Sequence, residues 1–490
     1  MLTEVEAPSF LATRRGKLTL ALLCAIAFLD FVDGSITNVA LPTIRNSLHF
    51  SLDGLQWVPS AYLLTYGGFM LLGGRLADLF GRRRVLVTGI LIIGVSSMVG
   101  GFAQSAGVLI AARLTQGLGA ALTLPAALSI LTTKFAEGRD RHTALGAWGG
   151  IAGLASAAGV LLGGLLVEGP GWRWVMFVNP IACALVLLPV FRLIEGERGR
   201  RRLANFDGLG ALLVTGGMLL LVYALVRAPI AGWGSARTVG ELAGAFALLA
   251  AFLLNELRQR EPLAPLSIFR INGLGFSNLT QLVAFAGVLA LFFFLTLYMQ
   301  NVLGYSPLQT GLAWLPLCFA VAISAGIAAQ LLSRVGTRPV IVVGAIIAAA
   351  GLYMLSRIPV DGSYVADLLP GTLVLAVGGA AVFVGVTTAA NAGVPADKAG
   401  LAAALLNASQ QLGGALGLAI FTAVATSRTN HLLASGTPVA HAQTSGFQRG
   451  LLLGSIFLLV SAVIALRATN TRGETEEPAV EAEPEVPLAA

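Results

Sequence analysis

Apolar positions in this chain come in long unbroken runs, and short polar stretches punctuate them. The first run spans Ala21 to Pro42, and others follow at about 54–74, 85–103, 107–131, 143–167, 173–193, 207–227, 238–256, 275–300, 309–332, 339–356, 366–390, 399–426 and 449–467. Each lies near the ~20 residues a helix needs to cross the hydrocarbon core of a bilayer. The pattern therefore predicts fourteen membrane-spanning helices in an all-α polytopic membrane protein. A β-barrel would need segments of about ten residues with alternating polarity, which these runs lack. Composition points the same way: 56% of the 490 residues are hydrophobic, only 11% are charged, and the mean hydropathy is +0.83. Such a chain is not a soluble domain.

Charges between the runs set an orientation. Arg14, Arg15 and Lys17 precede the first run, Arg82, Arg83 and Arg84 join the second to the third, and Lys134, Arg139 and Arg141 join the fourth to the fifth. The alternate loops hold few basic residues, Arg45 and Arg173 among them. The positive-inside rule then places both termini in the cytoplasm of a cell-membrane protein. The net charge of +7 is absorbed by this topology, and no nucleic-acid partner is implied. No small-residue cleavage site follows the first run, so it is retained as a helix and not removed as a signal peptide. Cys24, Cys183 and Cys318 sit in three different runs and suggest neither a disulfide nor a metal site. The polar stretch from Ser427 to Gln448 reads as the longest outer loop, with His431 and His441 solvated in it.

An internal repeat divides the chain. GGRLADLFGRRRVLVTGILI from Gly73 is similar to AAQLLSRVGTRPVIVVGAII from Ala328, with Gly81, Arg83, Val85 and Gly89 recurring as Gly336, Arg338, Val340 and Gly344. Both copies join two spans on one side, as two parallel six-helix halves of a transporter would. The expected parts are a cytoplasmic segment at 1–17, an N-terminal half at 18–193, a basic linker at 194–206, two extra helices at 207–256, a C-terminal half at 257–467, and a disordered acidic tail at 468–490 too polar to bury a core.

Enzyme chemistry finds no foothold. A phosphate-binding loop ends in Gly-Lys followed by Ser or Thr, and none of Lys17, Lys134 and Lys398 fits. HExxH and GxSxG patterns are absent too. No cofactor is implied, and the energy for transport has to come from an ion gradient. Charges inside the runs are the candidates for using it. A carboxylate at the centre of a membrane helix costs about 2.5 to 3.5 kcal/mol, and Asp30 and Asp33 lie midway along the first run. Three residues apart, they share a helix face. Arg113, early in the fourth run, is the buried cation able to pair with either acid, and these three form the candidate proton-coupling site. Candidate substrate-cavity residues are Tyr62 and Tyr66 as an aromatic wall, Gln116, and the amides Asn278, Gln281, Asn407, Gln410 and Gln411 of the second half. Gly149, Gly153, Gly159 and Gly163 in the fifth run allow close helix approach.

GRLADLFGRRRVL (Gly74 to Leu86) resembles the signature loop between the second and third helices of the major facilitator superfamily. LDFVDGSITNVALP is similar to the first-helix motif of its fourteen-spanner drug:proton antiporters, placing the motif acid at Asp33 and leaving Asp30 as an extra. Arg113, Gln116, Gly117 and Gly119 match the fourth-helix motif, and WRWVMFVNP (Trp172 to Pro180) and AGLAAALLNASQQLGGALG (Ala399 to Gly417) resemble further stretches of this branch. The resemblance implies two six-helix halves plus two extra helices, rocking as a monomer in the lipid bilayer to exchange protons for lipophilic, mostly cationic drugs or antibiotics. It assigns Gly74, Asp78, Gly81, Arg82 and Arg83 to a cytoplasmic gating motif. One departure stands out: the fifth-helix antiporter motif has a proline after Gly159, and here Val160 occupies that position. The rival expectations are an uptake symporter, a metabolite or lipid transporter of the same fold, and a membrane sensor that does not transport.

Overall fold

The computed structural model describes residues 10–135, 139–196, 207–259, 262, 268–269, 271, 273–394 and 399–472. After a single 3-10 turn at Phe10–Ala12 come α1 (Arg14–Leu48), α2 (Leu52–Leu55), α3 (Trp57–Phe80), α4 (Arg82–Gly101), α5 (Ala106–Lys134), α6 (Arg139–Glu168), α7 (Arg173–Leu193) and α8 (Gly208–Ala231). They are followed by α9 (Ala236–Arg258), α10 (Leu274–Asn301), α11 (Pro307–Val335), α12 (Thr337–Leu355), a π-helical turn at Tyr364–Leu368, α13 (Leu369–Asn391), α14 (Ala399–Ala434) and α15 (Val439–Ala465). Among the described residues there is no strand, and 12 helices are long and apolar enough to cross a membrane. The two other long helices are α3 and α6, of 24 and 30 residues.

Local sequence explains the boundaries. Thr13, Ser51, Ser105, Ser235 and Ser306 each stand at an N-cap and accept a backbone N–H of the first turn, which satisfies one of the donors a helix start leaves open. The α3–α4 and α11–α12 hairpins turn on Gly81 (φ 96°) and Gly336 (φ 89°). A Cβ is strained at such angles, so the repeated glycine of the sequence is a turn requirement met once in each half.

Helices α1 and α3–α7 form one bundle and α10–α15 another, meeting along α6 with α11, α3 with α14, and α1 with α10. The pair α8 and α9 sits outside, with Met218 and Val222 of α8 packed among Leu64 of α3 and Ala415 and Ala419 of α14. Asp207 caps α8 and accepts from Asn255 of α9 at 2.9 Å, which fixes the pair together. The repeat extends to the hydrogen bonds. Arg83 Nη1 donates to the Ile194 carbonyl just past α7 (3.2 Å), and Arg338 Nε and Nη2 donate to the Ala468 carbonyl just past α15 (3.2 and 3.1 Å). In both halves the hairpin is tied to the end of the sixth helix.

Where the sequence suggested a tail beginning at 468, its first residues are held in place. Thr337 Oγ1 donates to the Thr469 carbonyl (2.6 Å), Thr337 N to the Thr471 carbonyl (2.8 Å), and Arg338 N to Asn470 Oδ1 (3.1 Å). Residues 473–490 of the expected tail and 197–206 of the expected linker lie outside the described residues. Before the latter, Glu195 meets Lys134 (3.4 Å) and Arg15 (3.0 Å). Lys134 first and Arg15 second hold its carboxyl below the usual carboxylate range.

One expectation is corrected. The stretch from Ser427 to Gln448 is helix for most of its length, since α14 runs to Ala434 and α15 starts at Val439. Hydropathy reports where a helix leaves the apolar layer, not where it ends. The two polar extensions brace each other, with Thr429 Oγ1 donating to the Ala442 carbonyl (3.3 Å) and Arg428 Nε to Ser445 Oγ (3.2 Å).

Candidate functional site

Asp33 sits at the middle of the first run and is 3% exposed; Arg113 is 1% exposed. An isolated buried charge would be several kcal/mol out of place, and the structure shows how each is compensated. Arg113 Nη1 meets Asp33 Oδ2 at 2.6 Å, Gln116 Nε2 donates to Asp33 Oδ1 at 2.7 Å, and Asn179 Nδ2 of α7 donates to that same oxygen. Asn179 is steadied by Ser97 Oγ of α4 at 3.4 Å. The guanidinium has three other partners. Nη1 also donates to Gln116 Oε1 (2.8 Å), Nε donates to the Val58 carbonyl of α3 (3.0 Å), and its carbon stands 4.4 Å from the centre of the Tyr62 ring. The sequence left Arg113 free to pair with either acid; the structure pairs it with Asp33.

Asp30, one turn earlier on α1, has a different environment. The Tyr62 hydroxyl donates to Oδ1 at 2.7 Å and the Tyr66 hydroxyl to Oδ2 at 2.8 Å. Among the described residues no ion pair involves Asp30. The tyrosines are four apart on α3 and meet edge to face at 5.4 Å, so one stretch of helix supplies both donors. They were expected as an aromatic wall, and they also anchor the acid. A small cavity touches both carboxylates, with Tyr62, Gln116, Asn179 and Cys183 in its lining and room for about one or two waters.

The other candidate residues fall into separate groups. Gln411 of α14 lies beside Tyr66, and Gly67 of α3 backs directly onto that stretch of α14. Asn278 and Gln281 are buried on α10, where Asn278 donates to the Leu274 carbonyl (2.9 Å) and accepts from Ser409 Oγ (3.0 Å). Asn407 donates into its own helix at Ala403, and Gln410 is half-buried. Among the described residues, Gln411 is the one of these amides that reaches the tyrosine pair, at Tyr66.

The glycines work at helix crossings. A Cβ at Gly159 would collide with Ser35 of α1, and one at Gly163 would press on the Ile36 carbonyl (3.0 Å). On the opposite side of α6, Gly164 abuts Leu308 and the Val160 carbonyl abuts Gly311 of α11. Helix α6 thus wedges between α1 of one half and α11 of the other, and α6 continues as helix through Val160. In the gating motif, Gly74 faces Pro125, Gly81 makes the turn, Arg82 Nη1 donates to Thr133 Oγ1 (3.0 Å), and Arg83 reaches Ile194. The side chain of Asp78 and the surroundings of Gly149 and Gly153 lie outside the described residues.

The site also contains residues that sequence reasoning did not single out. Asn179 and Ser97 complete the Asp33 environment. The available signal for Asn179 was its place in WRWVMFVNP, a stretch noted for its family resemblance without a role for the amide.

At the face away from the α3–α4 hairpin, hydrogen bonds join the halves. Gln300 Nε2 donates to the Val39 carbonyl (3.0 Å), and Glu168 Oε2 accepts from Ser306 Oγ (2.8 Å) and Leu308 N (3.1 Å). The structure is therefore latched at that face.

The Major Facilitator Superfamily model matches residues 23–418. The chain is 38% identical to the puromycin resistance protein of Streptomyces alboniger over 94% of its own length and 92% of that protein, and 38% identical to the cephamycin export protein of Amycolatopsis lactamdurans over 92% of each. It is 36% identical to the tetracenomycin C resistance and export protein of Streptomyces glaucescens, covering 86% of this chain and 76% of the other. Among solved structures, a bacterial homolog of the human lysosomal transporter Spinster in an inward-facing, occupied conformation matches with a TM-score of 0.66 at 16% identity, over 93% of this chain and 97% of that one. That likeness concerns the fold.

Proposed function

This chain belongs to the major facilitator superfamily, and from that premise we propose that it is a proton-coupled exporter of small lipophilic, mostly cationic antibiotics. It is a multi-pass membrane transporter and not an enzyme. In the proposal its fourteen long helices all span the cell membrane, both termini are cytoplasmic, and a monomer works by alternating access. The resistance and export proteins among its relatives support the substrate class and the direction.

The observation that carries the coupling is the buried set of Asp33, Arg113, Gln116 and Asn179. One cation and two amide donors surround the Asp33 carboxylate, and this arrangement coincides with a latched outer face. A proton carried by Asp33 is thus released towards the cytoplasm in this conformation. When Arg113 withdraws, a buried carboxylate without a cation is costly, and Asp33 takes a proton from outside. The cycle gains about 2.3 kcal/mol per charge for 100 mV and about 1.4 kcal/mol for a tenfold proton ratio. The gating motif, with Asp78 at the end of α3, closes the cytoplasmic mouth at the opposite point of the cycle, and Asn278, Gln281, Asn407, Gln410 and Gln411 line the substrate path with uncharged groups.

Reconstituted protein should pump a fluorescent lipophilic cation when a pH gradient is imposed, and addition of that cation to detergent-solubilised protein in weak buffer should release protons. Transport that ignores the pH gradient, together with no proton release, would sink this reading.

A further inference from the structure

Two acids one helical turn apart would ordinarily be treated as one charged site. Their surroundings separate them. Asp33 is neutralised by Arg113 at 2.6 Å, whereas among the described residues Asp30 is held by two hydroxyl groups. Hydroxyl donors stabilise a carboxylate without cancelling its charge. An organic cation that reaches this region therefore finds its attraction at Asp30, beside the rings of Tyr62 and Tyr66.

Tyr62 takes part in both sites. Its hydroxyl donates to Asp30 and its ring lies against the Arg113 guanidinium. Val58, whose carbonyl accepts from Arg113 Nε, is one turn away on that same helix. Arg113 is thus fastened to α3 at two points and to α1 at one, through Asp33. A shift of α3 relative to α1 therefore pulls on the Arg113 guanidinium through the Val58 carbonyl and the Tyr62 ring. Any rearrangement of Tyr62 around an occupied Asp30 reaches Arg113 through the ring.

Resting on the proton-coupling reading above, we infer that Tyr62 is the positioning residue that couples the two sites, transmitting occupancy of an organic cation at Asp30 to the Arg113–Asp33 pair. Tyr66, which bonds to Asp30 and leaves the stack on Arg113 to Tyr62, serves the cation alone. Coupling of this kind is reciprocal: a cation at Asp30 changes proton affinity by the same factor that protonation changes cation affinity. The titratable or charged groups around the pair are Asp30 and Asp33 on α1, Tyr62 and Tyr66 on α3, Arg113 on α5 and Cys183 on α7. Helix α14 presents the uncharged Gln411, and α6 presents Gly159 and Gly163 to α1.

The test is the pH dependence of tetraphenylphosphonium binding to purified full-length protein, with proton release per bound cation recorded in parallel. Wild type should bind about 5- to 150-fold more weakly at about pH 6 than at about pH 8. Tyr66→Phe should weaken binding by a similar factor at every pH and leave that ratio intact. Tyr62→Phe, which keeps the ring on Arg113, should lower the ratio several-fold, and Tyr62→Leu, which removes ring and hydroxyl, should bring it near one. Thermal melting establishes that each variant is folded, and Tyr62→Phe is conservative enough to decide the matter if Tyr62→Leu is not. A wild-type ratio retained in folded Tyr62→Phe, or lost equally in Tyr66→Phe, overturns the assignment of Tyr62. A wild-type protein with no pH dependence and no proton release overturns the proton-coupling reading itself, and this inference with it.

Discussion

Replacing Arg113 tests the core of the proposed cycle, because the structure separates what a charge supplies there from what a guanidinium supplies. Arg113 makes a 2.6 Å ion pair with Asp33, bonds of 2.8 and 3.0 Å to Gln116 and the Val58 carbonyl, and a stack on Tyr62 at 4.4 Å. Lysine keeps a charge for Asp33 but has no planar fork to hold Val58 and Tyr62 at the same time. The lost bond contributes about 1.5 to 3 kcal/mol and the lost stack about 0.5 to 2 kcal/mol. Only the part that differs between conformations changes the rate. If about half does, Arg113→Lys should be roughly 5- to 70-fold slower in proton-driven efflux, at 1.36 kcal/mol per tenfold. Arg113→Ala is a different perturbation. It leaves a carboxylate 3% exposed without a cation, a loss of about 3 to 5 kcal/mol, and the least costly relief is a permanently bound proton. That variant should still exchange substrate down its gradient but should accumulate none against it. The assay compares counterflow with pH-driven uptake in everted vesicles and records proton release in detergent. Near-native uphill transport by Arg113→Ala would refute the reasoning.

Asp33→Asn should abolish proton-driven efflux of every substrate, whereas Asp30→Asn should weaken binding and efflux of cations, divalent more than monovalent, and spare uncharged substrates; the reverse pattern in paired dye assays would exchange their roles. Asp78→Asn should slow transport while leaving equilibrium substrate binding within a few-fold, and complete loss of binding in a folded variant would count against gating. Glu168→Ala removes two hydrogen bonds between the halves, each contributing about 0.5 to 1.5 kcal/mol. It should increase labelling of a cysteine introduced beneath the outer latch, and unchanged labelling would show that Glu168 holds nothing shut.

The fold class was legible because a membrane imposes its thickness on sequence: each apolar run from Ala21 onward has the length of a crossing. The repeat was legible because Gly81 and Gly336 must adopt a backbone angle that disfavours other residues. Polar ends of helices were not, since Thr429 and Ser445 find partners on a neighbouring helix that hydropathy cannot see. Within the site, helical spacing put Asp30 and Asp33 on one face but gave no reason to prefer either for Arg113. That choice depends on where α5 stands along α1, a fact of packing. Tyr62 and Tyr66 were noticed for their rings, while their hydroxyls, aimed by α3 at Asp30, carry as much of the arrangement. Asn179 lay inside the WRWVMFVNP motif, but its role at Asp33 depends on how α7 packs on α1, which the motif does not state.

The strap at 468–471 has a consequence for how the protein is made. In the C-terminal half, Thr337 waits for a partner 134 residues later in the chain, and in the N-terminal half Arg83 waits for one 111 residues later. Translation delivers each hairpin long before the segment that secures it, and the segment is the last stretch of its half. A ribosome-bound chain therefore inserts helices that stay mutually adjustable until their own half is finished, and each half closes as the end of its sixth helix emerges. A chain that stops short of Ala468 lacks the carbonyl to which Arg338 donates, and its second hairpin stays unsecured.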